Sequence, residues 1–124
     1  MLSGGVPGWL DEAGAHNNPD GLPYALASPV HAGGFLFGYP LTASRRQGPA
    51  NKILWVVGMP RNGSALEITG HLINVRTPAV HVTQPADSSP GEIYPSIVDV
   101  PNAGCWHFDL MWDGHKTSID LKYA

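Results

Sequence analysis

The sequence predicts an all-β fold, an antiparallel β-sandwich of about seven strands. Short runs of β-branched and aromatic residues recur along most of the chain, and clusters of Gly, Pro, Asn and Asp separate them at intervals of roughly eight to twelve residues. No window of the sequence sustains a helical periodicity. Together these observations favour a sandwich over a fold that contains helices.

Length and composition limit the chain to one globular domain. Its 124 residues are enough for a single hydrophobic core, and the apolar fraction of 43% with a charged fraction of 14% is far from the composition of disordered chains. Because there is one cysteine, no disulfide can form within the chain. The formal net charge is -3, and the only adjacent basic pair is Arg45-Arg46, so we expect no nucleic-acid partner.

Residues 1–33 are predicted to form an irregular N-terminal arm, and residues 34–124 to form the sandwich. The arm is rich in Gly, Pro, Asn and Asp and has no sustained periodicity. It also carries apolar residues that a free linker would lack, so we expect it to pack on the domain, with a partly disordered tail as the alternative. These apolar residues are Trp9, Leu10, Tyr24, Leu26 and Val30.

The first strands follow the arm. Residues 34–41 form a short aromatic run that Pro40 closes, as in a strand near a sheet edge. Residues 52–59 are almost continuously apolar, which predicts a central strand that is buried on both faces. The dipeptide Asn62-Gly63 suits a type I′ turn, so we expect the strands on either side of it to pair.

Two further strands precede the last hairpin. Residues 79–84 alternate, with Val80 and Val82 facing inward. Residues 93–100 are interrupted by Pro95, which predicts an edge strand or a bulge.

The final 24 residues predict a hairpin around Asp113-Gly114. Counting outward from this turn places large apolar side chains on one face and polar ones on the other. The predicted apolar pairs are Trp112 with His115, Leu110 with Thr117, Phe108 with Ile119 and Trp106 with Leu121. The opposite face receives Cys105, His107, Asp109 and Met111, across from Lys122, Asp120, Ser118 and Lys116.

The stretch "NAGCWHF" resembles the start of the penultimate strand of immunoglobulin-like domains. Asn102, Gly104, Trp106 and Phe108 lie at the positions of that motif, with Trp and Phe in place of the usual Tyr and Cys. Trp55 similarly resembles the buried tryptophan of the third strand. The resemblance implies an immunoglobulin-like sandwich rather than an antibody-type domain, because the disulfide pair is lacking.

The last 70 or so residues are also similar to uncharacterised secreted or lipid-anchored bacterial domains that share a Pro-x-x-Gly-Cys-Trp element, here residues 101–106. This resemblance implies an extracytoplasmic location, secreted or lipid-anchored, with a leader that has been removed from the present chain. Contact with a membrane would then occur only through the removed lipid anchor.

Cys105, His107, Asp109 and Met111 include the residue types of a blue-copper site. Alternate residues on one strand, however, lie about 6.5 to 7 Å apart and point in parallel, so they do not converge on one ion. A zinc site or a hydrolase would use Cys105, His107, Asp109 and Asp120, with Asp120 orienting the imidazole. We interpret the His107–Asp120 pair as a cross-strand contact and expect no metal, cofactor or catalytic residue.

The sequence therefore favours a non-catalytic extracytoplasmic binding or interaction module. Its partner would be a protein or a glycan, bound by the loops at 42–51 and 84–92 or by an edge strand. The arm or an edge strand would also allow a homo-oligomer. One alternative is the small metal-binding protein or hydrolase described above. A second is a carbohydrate-binding module that uses exposed aromatic residues, with Trp9, Tyr24 and Tyr39 as candidates.

Overall fold

The computed structural model describes residues 2–15, 18, 20–43, 51–88 and 91–124. Most of the regular secondary structure of these residues lies in two antiparallel sheets of four strands each, which confirms the predicted all-β architecture. The eight strands are β1 Tyr24–Ala27, β2 Ala32–Leu36, β3 Lys52–Val57, β4 Leu66–Leu72, β5 Val80–Gln84, β6 Ile93–Ile97, β7 Gly104–Trp112 and β8 His115–Tyr123. A short helical segment, Gly8–Leu10 and Asp11–Ala15, precedes them.

The first sheet has the strand order β1-β2-β3-β6, and the second has the order β5-β4-β7-β8. β3 is central and β6 is an edge strand, as the sequence predicts. Val57 and Val98 donate backbone hydrogen bonds across the β3–β6 pair, so alternate residues of β6, including Pro95, turn their backbone groups to the free edge. Pro95, which has no N–H, therefore lies at a position of β6 whose backbone does not hydrogen-bond to β3.

The turn at Asn62-Gly63 forms, with φ of 49° and 77°, but the predicted pairing of its flanking strands is wrong. β3 lies in the first sheet and β4 in the second. The connecting segment 58–65 is longer than a two-residue hairpin loop, so it crosses between the sheets. The turn instead meets the tip of the β7–β8 hairpin, where Asn62 Nδ2 donates to Asp113 Oδ2 at 2.7 Å.

The N-terminal segment contains more regular structure than the predicted arm. β1 lies entirely within residues 1–33, and β2 begins at Ala32, so the predicted boundary falls inside β2. β1 pairs along its whole length with β2. The four residues of β1 are too few to show a period, which is why the sequence alone does not reveal this strand.

The helical segment packs on the outer face of the first sheet. Leu10 is fully buried there against Tyr24, Phe35 and Val56, which together form a second core cluster. The loop after β5 holds the segment from the other side, because Glu92 N donates to Ala13 O at 2.8 Å. This part of the N-terminal segment is therefore an integral layer of the molecule.

The main core lies between the sheets. Trp55 is fully buried and donates from Nε1 to Ser96 Oγ at 2.9 Å, which joins β3 to β6. The β7–β8 register agrees with the predicted pairing at every position, and Trp106, Phe108, Leu110 and Trp112 are all buried.

Two features of β4 and β7 explain how these large side chains fit. A Cβ on Gly70 would lie 2.6 Å from the ring of Phe108, so only glycine fits beside it in β4. Trp106 donates from Nε1 to Asn102 O at 2.9 Å, which fixes the entrance of β7.

Replacement of Thr117 by valine is expected to raise the free energy of unfolding by about 1 kcal/mol. Thr117 is buried in the core, and its Oγ1 has no hydrogen-bond partner among the described residues. Valine keeps the shape and removes the buried hydroxyl. Urea denaturation of Thr117→Val, with Ser118→Ala on the opposite face as control, measures the change. Destabilisation by Thr117→Val would instead indicate a buried water at this hydroxyl.

Candidate functional site

The outer face of the second sheet carries the polar residues that the sequence predicts as candidates. Side chains alternate along each strand, so every second residue of β7 and β8 turns away from the core. Cys105, His107, Asp109 and Asp120 all lie on this face. The other residues of the face are Glu67, Thr69, His71, His81, Thr83, Met111, Lys116, Ser118 and Lys122.

His107 lies between two carboxylates. Its Nδ1 is 2.7 Å from Asp120 Oδ1, and its Nε2 is 3.3 Å from Asp109 Oδ1. About a third of its side chain is exposed, at 32%. The predicted His107–Asp120 contact therefore forms, and a second carboxylate, contributed by β7 itself, faces the other ring nitrogen.

This arrangement does not assemble a nucleophile with a base. In a Ser–His–Asp or Cys–His–Asp set the nucleophile lies at the nitrogen opposite the orienting carboxylate. Here Asp109 occupies that position. Cys105 is exposed and lies two residues along the strand from His107, opposite Lys122.

His71 joins the same cluster, which the sequence did not predict. The β4–β7 register places it directly opposite His107, and the two ring centroids are 5.2 Å apart. His71 Nδ1 is 2.7 Å from Leu72 O, and because a carbonyl only accepts, Nδ1 carries the proton. No short turn joins β4 to β7, so no sequence signal sets their register.

A second polar cluster lies at the β4–β5 edge of this face. Glu67 Oε2 accepts hydrogen bonds from His81 Nε2 at 2.7 Å and from Thr83 Oγ1 at 2.8 Å. The hydrogen bond from His81, followed by that from Thr83, lowers the pKa of the Glu67 carboxyl below its usual range. These contacts tie β5 to β4 and leave His81 apart from the His71–His107 pair.

The residues that the structure describes contain no group of three His, Cys, Asp or Glu side chains placed to hold a metal ion. The set of Cys105, His107, Asp109 and Asp120 thus shares a face without converging on one point.

A different candidate site lies where β1 of the first sheet meets β8 of the second. The two strands join through one antiparallel bridge, in which Ser28 and Ser118 exchange backbone hydrogen bonds of 3.1 Å. Tyr24, four residues before Ser28, exchanges backbone hydrogen bonds with Leu2 on the same edge of β1. The backbone groups of alternate residues point to the same edge of a strand, so the N–H and C=O of Leu26 also point away from β2.

The same argument applies to β8. Ser118 and Ala124 both make backbone hydrogen bonds on the outer edge, Ala124 with Leu41. Asp120 and Lys122, which lie between them, therefore face this edge as well. No described residue pairs with the outward backbone groups of Leu26, Asp120 or Lys122. We call this opening, bounded by these three residues, the β1–β8 gap.

Two cavities flank the β1–β8 gap and adjoin at Asp120. One, of about 360 Å³, lies toward β1 and is lined by Leu26, Ser28 and His107 among others. The other, of about 410 Å³, lies toward the chain terminus and is lined by Tyr39, Pro40 and Lys122 among others. The unpaired backbone therefore opens onto space that can accept side chains.

The predicted aromatic candidates have different environments. Tyr39 is 59% exposed beside the β1–β8 gap. Trp9 stacks on His31 with ring centroids 4.9 Å apart, and Tyr24 is buried with its hydroxyl bonded to Gly5 O.

Of the predicted binding loops, residues 44–50 of the first and 89–90 of the second lie outside the described residues.

No protein-family model matches the sequence, and the searches of curated proteins and of solved structures also gave no match. Among the described residues, no helix has the length and apolar character needed to cross a membrane.

Proposed function

We propose that this protein is a non-catalytic, extracytoplasmic interaction module that takes up an extended segment of a partner protein in the β1–β8 gap. The observation that carries the proposal is that the backbone of Leu26, Asp120 and Lys122, on the facing edges of β1 and β8, has no pairing partner in the described part of the chain. A sheet edge of this kind binds a peptide through main-chain hydrogen bonds, and adjoining pockets accept alternate side chains. The extracytoplasmic location rests on the sequence resemblance.

An immunoglobulin-like sandwich is part of the same proposal. The order β2-β3-β6 corresponds to strands A, B and E of that fold, and β5-β4-β7-β8 corresponds to C′, C, F and G. The hydrogen bond from Trp106 to Asn102 O supports this alignment, since it has the form of the tyrosine corner at the start of strand F. In this alignment Trp55, which lies in β3, corresponds to strand B of the immunoglobulin fold rather than to its third strand, C.

The other sheet edge is less suited to the same role. On β6, Pro95 lacks an N–H, and Arg61 Nη1 donates to Ile93 O. Both features weaken an edge as a template for another strand. Among the described residues, the outward backbone groups at the β1–β8 gap include no proline and receive no such side-chain hydrogen bond.

Peptides selected from a displayed random library against the immobilised full chain test this proposal. We expect bound peptides to slow the amide exchange of Leu26, Asp120 and Lys122. Leu26→Pro removes the outward N–H and should weaken binding by tenfold or more. Ile97→Pro, at the exposed position of the β6 edge, is the matched control and should leave binding unchanged.

Two results would contradict the proposal. One is a library that gives no peptide above background, and the other is binding that Ile97→Pro weakens as much as Leu26→Pro does.

A glycan partner is the second candidate, because exposed Tyr39 lies in one cavity with Asp120 and Lys122. Glycan binding on an array that is lost in Tyr39→Ala would favour it over a peptide.

A further inference from the structure

We infer that His71 and His107 form a two-imidazole chelate for a divalent cation of the zinc class on the outer face of the second sheet. Imidazole nitrogen is a preferred ligand of such ions. The two ligands lie on β4 and β7, and His107 also lines one of the cavities beside the β1–β8 gap. The inference does not depend on the proposed peptide partner.

The spacing of the two rings suits one shared ion. The residues are directly opposite across two paired strands, and their ring centroids are 5.2 Å apart. Two imidazoles bound to a tetrahedral ion at about 2.0 to 2.1 Å place their centroids about 5 Å apart. The two ring centroids therefore already lie at the separation that a chelate requires.

Each ring is oriented in the way that metal-binding histidines usually are. His71 Nδ1 donates to the backbone oxygen of Leu72, and His107 Nδ1 donates to the Asp120 carboxylate, both at 2.7 Å. These acceptors fix the proton on Nδ1 and leave the lone pair on Nε2 in the neutral ring. Both side chains thus offer Nε2 as a ligand atom.

The negative charge of the Asp109 carboxylate, beside His107, favours a cation at this site. Its Oδ1 lies 3.3 Å from His107 Nε2, so two acceptor atoms face each other when the ring is neutral. A proton or a metal ion near them would relieve this repulsion.

The remaining coordination positions belong to water. The described residues do not already place three such side chains as metal ligands, so the two histidines are the protein ligands and Asp109 acts from beside them. A chelate with several water ligands is open to solvent. It therefore suits reversible uptake of an ion rather than a closed structural site.

Zinc titration of the full chain, stripped of metal by a chelator and then desalted, tests this inference by calorimetry. We expect one ion per chain, and at least tenfold weaker binding in His71→Ala and in His107→Ala. Asp120→Asn should weaken binding by about tenfold, because the carboxylate that orients the His107 ring through Nδ1 is lost. Circular dichroism of each variant separates loss of binding from loss of fold.

The matched control is His81→Ala. His81 is an exposed histidine of the same face that already pairs with Glu67, so its removal should leave zinc binding unchanged. Cys105→Ser should also bind zinc normally. The inference is overturned if no saturable 1:1 binding occurs, if His81→Ala weakens binding as much as His71→Ala does, or if Cys105→Ser abolishes it.

Discussion

Trp55→Ala is expected to lower the free energy of unfolding by about 3 to 5 kcal/mol. Trp55 is fully buried between the sheets, and alanine would leave a cavity that the rigid strands on either side cannot fill. The change also removes the hydrogen bond from Nε1 to Ser96 Oγ, which lies in the core and would lose its donor. Since small domains are stable by about 5 to 15 kcal/mol, this loss is a large fraction of the total stability.

Equilibrium urea denaturation measures the effect of Trp55→Ala. Tyr39→Ala is the control, because Tyr39 is also aromatic but 59% exposed, and its removal should change stability by no more than about 0.5 kcal/mol. Equal midpoints for the two variants would mean that Trp55 does not pack between the sheets as described.

Leu10→Ala is expected to lower the free energy of unfolding by about 2 to 5 kcal/mol. Leu10 is the fully buried residue through which the helical segment contacts Phe35 and Val56 on the outer face of the first sheet. Its truncation leaves those two side chains poorly covered. The variant should also bind more of a dye that reports exposed apolar surface than the parent chain does.

Leu2→Ala is the matched control for Leu10→Ala. Leu2 belongs to the same N-terminal segment, but its side chain is 46% exposed, so its truncation should cost far less stability. If the two leucine variants were equally stable, the helical segment would not be docked on the sheet in solution.

The last hairpin shows what a sequence can specify. A two-residue Asp-Gly turn fixes the register of the strands that it joins, and the period of two then assigns every side chain to a face. This was enough to predict all the pairs from Trp112–His115 to Trp106–Leu121 and the shared face of His107 and Asp120.

Contacts between strands that are distant in sequence were not accessible in this way. β4 pairs with β7, and their register alone brings His71 opposite His107. The Asn62-Gly63 turn has the backbone of a hairpin turn but joins strands of different sheets, because the partners of β3 and β4 are set by the whole core. The β1–β8 gap similarly depends on which strands end at each sheet edge.

The contact between Asn62 and Asp113 has a consequence for the chemical ageing of the protein. The Asn62 amide donates to the Asp113 carboxylate at 2.7 Å and joins the segment between the sheets to the tip of the hairpin. Deamidation of the Asn-Gly pair would replace that donor with a second carboxylate, and the two like charges would repel each other. Slow damage at this one side chain would therefore remove one of the contacts that hold the hairpin tip against this segment, while the hydrogen bond from Asp113 N to Ser64 Oγ remains.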